Sequence, residues 1–137
     1  MSIEIDHIGI AVKDLDTRTP FWVALGLIQG EDESIPADGV TARFLSTNGD
    51  SNEPVRIELL QATSDDTPIG RFIERRGEGV QQIAFRVDDI ESIITKLVDF
   101  GVKMIDEKPR AGANGAMIAF VHPKSTGGVL VEIVQRP

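Results

Sequence analysis

Four polar side chains stand inside otherwise apolar stretches of this sequence: His7 in "DHIGIAV", Glu58 in "VRIELLQ", Gln82 in "VQQIAFRV" and Glu132 in "VLVEIVQ". A carboxylate in a sheet interior is costly unless it is paired, hydrogen-bonded or bound to a cation. Taken singly, each residue has an ordinary reading. A strand always offers a polar face, so Glu58 and Glu132 pass as solvent-facing residues, His7 as a satisfied histidine and Gln82 as a hydrogen-bonding amide. Taken together, two carboxylates, an imidazole and an amide oxygen form a donor set of oxygen and nitrogen alone. Such a set suits an octahedral divalent ion that keeps a position or two for water or substrate. Borderline ions such as Co²⁺, Ni²⁺, Zn²⁺ or Mn²⁺ fit it better than soft ions. The carboxylates would balance the charge of the ion, which could still attract a chelating substrate oxygen and stabilise an enolate as it forms.

What makes the four comparable is a repeat, because weak self-similarity at one offset marks two copies of a supersecondary unit. His7 and Gln82 stand 75 positions apart (7 to 82), and at that shift "HIGIAVKDLD" lies on "QIAFRVDDIE" with the apolar alternation of a half-buried strand. After each strand the period lengthens. Asp14 or Asp16 can cap a helix running to "WVALGL", and Asp88 or Asp89 can cap "IESIITKLVDFGV". Each helix then stops at a glycine, Gly26 or Gly101, again 75 apart (26 to 101). Further strands are expected at "VTARFLS" (40 to 46), "VRIELLQA" (55 to 62), "MIAFVH" (117 to 122) and "GVLVEIVQ" (128 to 135). Glu58 and Glu132 are 74 apart (58 to 132), so a single loop residue is lost between copies. The stretches "TNGDSNEP", "RAGANGA" and "HPKSTGG" have turn composition.

The expected fold is therefore α+β, βαβββ twice, within a single domain over 1–137. Repeat 1 covers about 3–62 and repeat 2 about 79–135. They are joined by "QATSDDTPIGRFIERRGEG", which carries a short helix near 68–76. If the copies pack about a pseudo-two-fold axis, the four matched positions converge on one cleft.

Composition bounds the chemistry. At 137 residues, 41% hydrophobic and 26% charged, the chain can bury a real core. A net charge of −8 with 14 scattered Lys and Arg argues against nucleic acid or an anionic membrane surface as partner. There is no cysteine, so disulfides, thiolate metal sites and a cysteine nucleophile are excluded. The first ten residues carry two acids and no basic segment, and no apolar run approaches the roughly 20 residues of a membrane span. A cytoplasmic location is the expectation.

The whole chain resembles the vicinal oxygen chelate superfamily of glyoxalases, bleomycin-resistance proteins and dioxygenases, and within it the methylmalonyl-CoA epimerases. "IDHIGIAVKDLD" and "IAFRVDDIE" carry the superfamily likeness; "GVKMIDEKPRAGANG" and above all "FVHPKSTGGVLVEI" carry the likeness to the epimerases. The resemblance implies paired βαβββ modules in a cup-shaped mixed sheet, a homodimer, a divalent metal, and an acyl-CoA substrate inverted at the carbon between two carbonyls through a metal-stabilised enolate. Carried over by position, the metal ligands fall on His7, Glu58, Gln82 and Glu132. Epimerases usually show two histidines where this chain has Gln81 and Gln82, and a histidine is common at Asn114. Glyoxalase I uses one Gln, one His and two Glu, with Gln in the first half and His in the second. Here those donors would be present with the halves exchanged.

For 1,1-proton transfer, acid and base are needed on both faces of the substrate carbon. Glu132 is assigned as one base and Glu58 as the other. Lys124, Ser125 and His122 in "HPKSTGG", with Asn114, are the candidate substrate contacts; an ordinary turn and a solvated strand end are the plainer readings of that segment. Arg43, Arg71, Arg75, Arg76 and Arg110 are candidates for coenzyme A phosphates. Two alternatives share the fold: a glyoxalase I-like lyase, and a metal-free ligand-binding or resistance protein, which the missing histidine at Gln82 would favour. A ring-cleaving dioxygenase needs two His and one carboxylate for Fe(II), and only His7 is supplied.

Overall fold

The computed structural model describes residues 2–50 and 53–137. The turn expected over "TNGDSNEP" includes Ser51 and Asn52, which lie outside the described residues. Two compact units emerge, one of His7–Gln81 and one combining the residues up to Asp6 with Gln82–Pro137.

In the first unit the elements run β1 (Ile3–Val12, of which His7 onward belongs here), α1 (Leu15–Leu25), β2 (Ile28–Ile35), β3 (Val40–Ser46), β4 (Arg56–Ala62) and α2 (Pro68–Arg76). The strand order is β2-β3-β4-β1, with β1 parallel to β4 and the other pairs antiparallel. Asp14 caps α1 by accepting from the Thr17 backbone N–H at 2.9 Å, and Gly26 closes the helix at φ 125°. Val12, Leu15, Leu45 and Leu59 form the buried core beneath α1, with Ile10, Trp22, Leu27 and Ile57 packed around them. Strand alternation therefore turns Ile10, Val12, Ile57 and Leu59 toward the helix, and sends His7, Gly9, Arg56 and Glu58 to the opposite face.

The second unit repeats the plan with β5 (Gly79–Val87, from Gln82), α3 (Ile90–Asp99), β6 (Arg110–Ala111), β7 (Met117–Val121) and β8 (Leu130–Gln135), in the order β5-β8-β7-β6. Asp89 caps α3 through the Ser92 N–H at 3.2 Å, and Gly101, at φ 96°, follows the last turn. One face of its sheet packs Val87, Ala119, Val121 and Ile133 against Ile90 and Ile94 of α3. The other carries Ala84, Ile118 and Val134, with Phe120 beside them. Register pairs Ala84 with Glu132 and Phe120 with Glu132, so the glutamate shares that second face.

Both βαβββ modules and the linker helix are present. The sequence reading named neither β2 nor β6. β2 reads "IQGEDESI", a charged, largely exposed edge strand without alternation, and β6 is two residues long.

Asp6 anchors the start of β1. It is fully buried and receives Arg86 Nε at 2.7 Å and Arg136 Nη2 at 2.6 Å.

Candidate functional site

All four residues singled out by type are buried: His7 is 3% exposed, Glu58 5%, Gln82 7% and Glu132 6%. The solvent-facing reading of the two glutamates is thereby overturned. In the first unit His7 Nε2 stands 3.6 Å from Glu58 Oε2, longer than a hydrogen bond. In the second, Gln82 Nε2 donates to Glu132 Oε1 at 2.5 Å.

Local structure explains each pair. β1 and β4 run parallel with Gly9 opposite Glu58 and His7 opposite Arg56, so the imidazole and the carboxylate lean together on one face. β5 and β8 place Ala84 opposite Glu132 and Gln82 opposite Leu130 in the same manner. The small residues Gly9 and Ala84 leave room beside each glutamate, and the residue across each glutamate on the antiparallel side is a phenylalanine, Phe44 or Phe120. The ring of Phe44 meets that of His7 edge-on, centroids 6.3 Å apart.

These pairs fit a divalent ion in their chemistry. Two donor atoms that share one ion at about 2.0–2.2 Å each lie at most roughly 4 Å apart, and the 3.6 Å gap falls within that bound. In the Gln82 pair the amide nitrogen donates to one carboxylate oxygen, which turns the amide oxygen to other use. Among the described residues no group of three His, Cys, Asp or Glu side chains gathers closely enough to hold an ion. The donors stand as a pair in each unit.

The proposed substrate contacts lie in the second unit, on the 3-10 turn after β7 and the loop before it. His122 Nδ1 accepts from the Lys124 backbone N–H at 3.0 Å, and Ser125 Oγ accepts from the Lys103 N–H at 2.8 Å, so both side chains brace the turn. Lys124 is exposed, and Asn114 is exposed in the left-handed region at φ 56°.

Arg43 requires correction as a phosphate ligand. It is 8% exposed and donates to both oxygens of Asp32 at 2.7 and 2.8 Å, to Asp16 at 3.0 Å and to Thr19 Oγ1 at 2.9 Å. The hydrogen bonds it donates to Asp32 are the main reason its guanidinium is held above the usual arginine range, and Asp32 is in turn held below the usual carboxylate range by Arg43. Arg110 pairs with Asp106 and lies over the Phe120 ring at 5.5 Å, Arg71 Nη1 donates to the Asp66 carbonyl, and Arg76 lies over Phe72 at 5.8 Å. Arg75 is exposed.

Sequence reasoning passed over Arg56 and Phe44. Arg56 is 1% exposed, with its guanidinium 4.5 Å from the centre of the Phe44 ring. The signal was available, since Arg56 precedes Glu58 by two on an alternating strand and must share its face.

Comparison with known proteins agrees with this architecture. Residues 6–120 match the model of the Glyoxalase/Bleomycin resistance protein/Dioxygenase superfamily, and the chain belongs to that superfamily. Its relatives there include methylmalonyl-CoA epimerases, which are isomerases. The ethylmalonyl-CoA/methylmalonyl-CoA epimerase of Cereibacter sphaeroides is 31% identical over 134 residues, 96% of this chain and 96% of its own. The crystal structure of methylmalonyl-CoA epimerase from Mycobacterium tuberculosis matches with a TM-score of 0.90 at 34% identity, covering 97% of this chain and 87% of the other. A methylmalonyl-CoA epimerase in complex with methylmalonyl-CoA and NH4+ matches with a TM-score of 0.91 at 36% identity, covering 99% and 96%. The fold class is that of this superfamily, and the chain is an enzyme of its epimerase branch.

Proposed function

We propose that the protein interconverts the (R) and (S) epimers of methylmalonyl-CoA by 1,1-proton transfer, with His7, Glu58, Gln82 and Glu132 as ligands of a divalent cation, Co²⁺ before Zn²⁺, Ni²⁺ or Mn²⁺. The observation that carries the reading is the burial of Glu58 and Glu132 at matched places of the repeat, each against a second donor of its own unit. It is supported by kinship with epimerases, one of them seen with methylmalonyl-CoA.

When bound, the cation supplies Lewis acidity toward the oxygens flanking the reacting carbon. Glu132, as the carboxylate, takes the proton from that carbon; the C–H electrons pass into the adjacent carbonyl to give an enolate, and Glu58, which must enter this direction as the carboxylic acid, returns its proton to the opposite face, so that Glu132 ends protonated and Glu58 ionised. The reverse reaction exchanges the two roles. Burial of both carboxylates excludes water that would compete for the proton. Lys124, Ser125, His122 and Asn114 are assigned to the acyl-CoA, whose phosphates would meet exposed Arg75 and Arg76 rather than Arg43. The reading includes a homodimer in the cytoplasm; among the described residues no helix is long and apolar enough to cross a membrane.

A second reading, a metal-free ligand-binding protein of the same fold, draws on the Gln82–Glu132 hydrogen bond, which satisfies both groups without a cation. Elemental analysis of protein purified without chelator, followed by deuterium incorporation into one epimer of methylmalonyl-CoA, separates the two. Bound metal with exchange is expected. No metal and no exchange after addition of Co²⁺ would overturn the enzyme reading. A parallel assay with a hemithioacetal tests the lyase alternative.

A further inference from the structure

We infer that Arg110 is a specificity-determining residue whose guanidinium receives the free carboxylate of a malonyl-type acyl group beside Glu132, and so selects anionic over neutral acyl-CoA. This deepens the epimerase reading proposed above and rests on it.

Register and contact agree on where Arg110 lies. It stands opposite Ile118 in the β6/β7 ladder, and Ile118 belongs to the sheet face that also carries Ala84, Val134, Phe120 and Glu132. The guanidinium is 5.5 Å from the centre of the Phe120 ring, and Phe120 is directly opposite Glu132. One ring therefore adjoins both the carboxylate proposed to move the proton and a guanidinium. Arg110 and Glu132 are two strands and two residues apart, which at about 4.8 Å per strand and about 3.3 Å per residue separates their Cα atoms by roughly 12 Å. Two long side chains and a three-carbon acyl unit between them can fill that span.

The guanidinium is held without being enclosed. Asp106 accepts from Arg110 Nε at 3.3 Å and, through its other oxygen, from the Phe120 backbone N–H at 2.9 Å, which ties the arginine to β7. A guanidinium carries five N–H donors, so one carboxylate can orient it while a second is received. The Arg110 side chain is 36% exposed, against 23% for Arg86 and 16% for Arg136, the other arginines of this unit, which converge on the buried Asp6. Access favours Arg110.

The fold does not dictate an arginine at this place. Phe44 is opposite Glu58 as Phe120 is opposite Glu132, and two residues earlier on those strands stand Ala42 and Ile118. Across from them lie Glu33 and Arg110. One copy carries an acid there and the other a base, so strand pairing tolerates either sign. What favours a base beside Glu132 is the ligand. A malonyl-type acyl group arrives with a carboxylate, which a glutamate would repel and a guanidinium binds through charge-assisted hydrogen bonds. An acyl group without that carboxylate leaves the contact unmade, and the difference in affinity is the selectivity. The carboxylate is charged before and after proton transfer, so the contact acts on KM more than on kcat.

The test compares malonyl-CoA with acetoacetyl-CoA, which has the same acyl skeleton and a neutral methyl ketone in place of the carboxylate. Calorimetry at pH 7 with added Co²⁺ gives both affinities for wild type, Arg110→Gln and Arg110→Lys, with kcat and KM for methylmalonyl-CoA alongside. Arg110→Gln is expected to bind malonyl-CoA about tenfold or more weakly than wild type and acetoacetyl-CoA within about threefold of it, with the rise in KM exceeding the fall in kcat. Equal losses for the two ligands, the mark of a phosphate contact or of a disturbed fold, overturn the inference, as does undiminished binding of malonyl-CoA. Should Arg110→Gln fail to fold, Arg110→Lys, which keeps the charge and loses the planar fork, should still weaken malonyl-CoA more than acetoacetyl-CoA; equal effects there overturn the inference. Wild type that neither binds malonyl-CoA nor exchanges the proton of methylmalonyl-CoA defeats the epimerase reading and this inference with it. Wild-type exchange together with undiminished malonyl-CoA binding in Arg110→Gln defeats this inference alone.

Discussion

Replacing Asp6 by alanine tests the claim that a buried ion cluster with Arg86 and Arg136 pins the first residues of β1. The carboxylate is wholly buried, and four nitrogen contacts converge on it: Arg86 Nε and Nη2 at 2.7 Å each, Arg136 Nη2 at 2.6 Å and Arg136 Nε at 3.2 Å. Charge-assisted hydrogen bonds contribute about 1.5–3 kcal/mol each, but these share two donors' worth of guanidinium and do not add. Breaking a buried pair from one side costs about 3–5 kcal/mol, chiefly through the charge left behind. Here the side chains of Arg86 and Arg136 retain 23% and 16% exposure, so water recovers part of that loss and the lower end applies. The expected cost is about 3 kcal/mol, which for a chain of this size lowers Tm by roughly 10 °C. Urea unfolding provides the measurement, as a fall in midpoint at unchanged m. Asp6→Asn, which keeps one acceptor, should lose about 2 kcal/mol. A loss below about 0.5 kcal/mol for Asp6→Ala, or additivity of Asp6→Ala with Arg136→Met, would refute the claim that this cluster holds the strand.

Glu132→Ala is expected to lower turnover by about a thousandfold or more, and wild-type-like activity would remove the acid–base assignment. Gln82→His should bind Co²⁺ at least as tightly as wild type, while Gln82→Ala should bind it more weakly; unchanged affinity in Gln82→Ala would exclude Gln82 as a ligand. Asp32→Asn should cost about 1 kcal/mol near pH 7, discounted because the Asp32 side chain is more than a third exposed. Since Asp32 is held below its ordinary pKa, that contribution is complete above the unfolded value near 4 and disappears as pH falls through the lower folded value. Wild type and Asp32→Asn should therefore draw together in stability as pH falls below about 4, and a gap that does not narrow in that range in urea titrations would contradict the pairing.

Much of the fold was legible because it depends on local, periodic signals. The caps at Asp14 and Asp89, the glycine after each helix and the linker helix at Pro68–Arg76 all stand where the sequence places them. β2 was not legible, since a charged edge strand forms by pairing with β3 and buries no face of its own. Charge partners were the other blind spot. Nothing in the order of residues says that Asp6 meets Arg86, 80 positions on, or Arg136, 130 positions on, or that Arg43 is consumed by Asp32 and Asp16.

The site residues fall between these cases. Type and repeat position sufficed to single out His7, Glu58, Gln82 and Glu132, and burial has since removed the solvent-facing explanation of the glutamates. What periodicity could not supply was the inequality of the two copies. Both glutamates face a phenylalanine and sit beside a small residue, yet one has an imidazole and a guanidinium on its face where the other has an amide and Leu130. Under the proposed reading, Gln82 would add a neutral amide oxygen and leave the charge of the ligand set to the two glutamates.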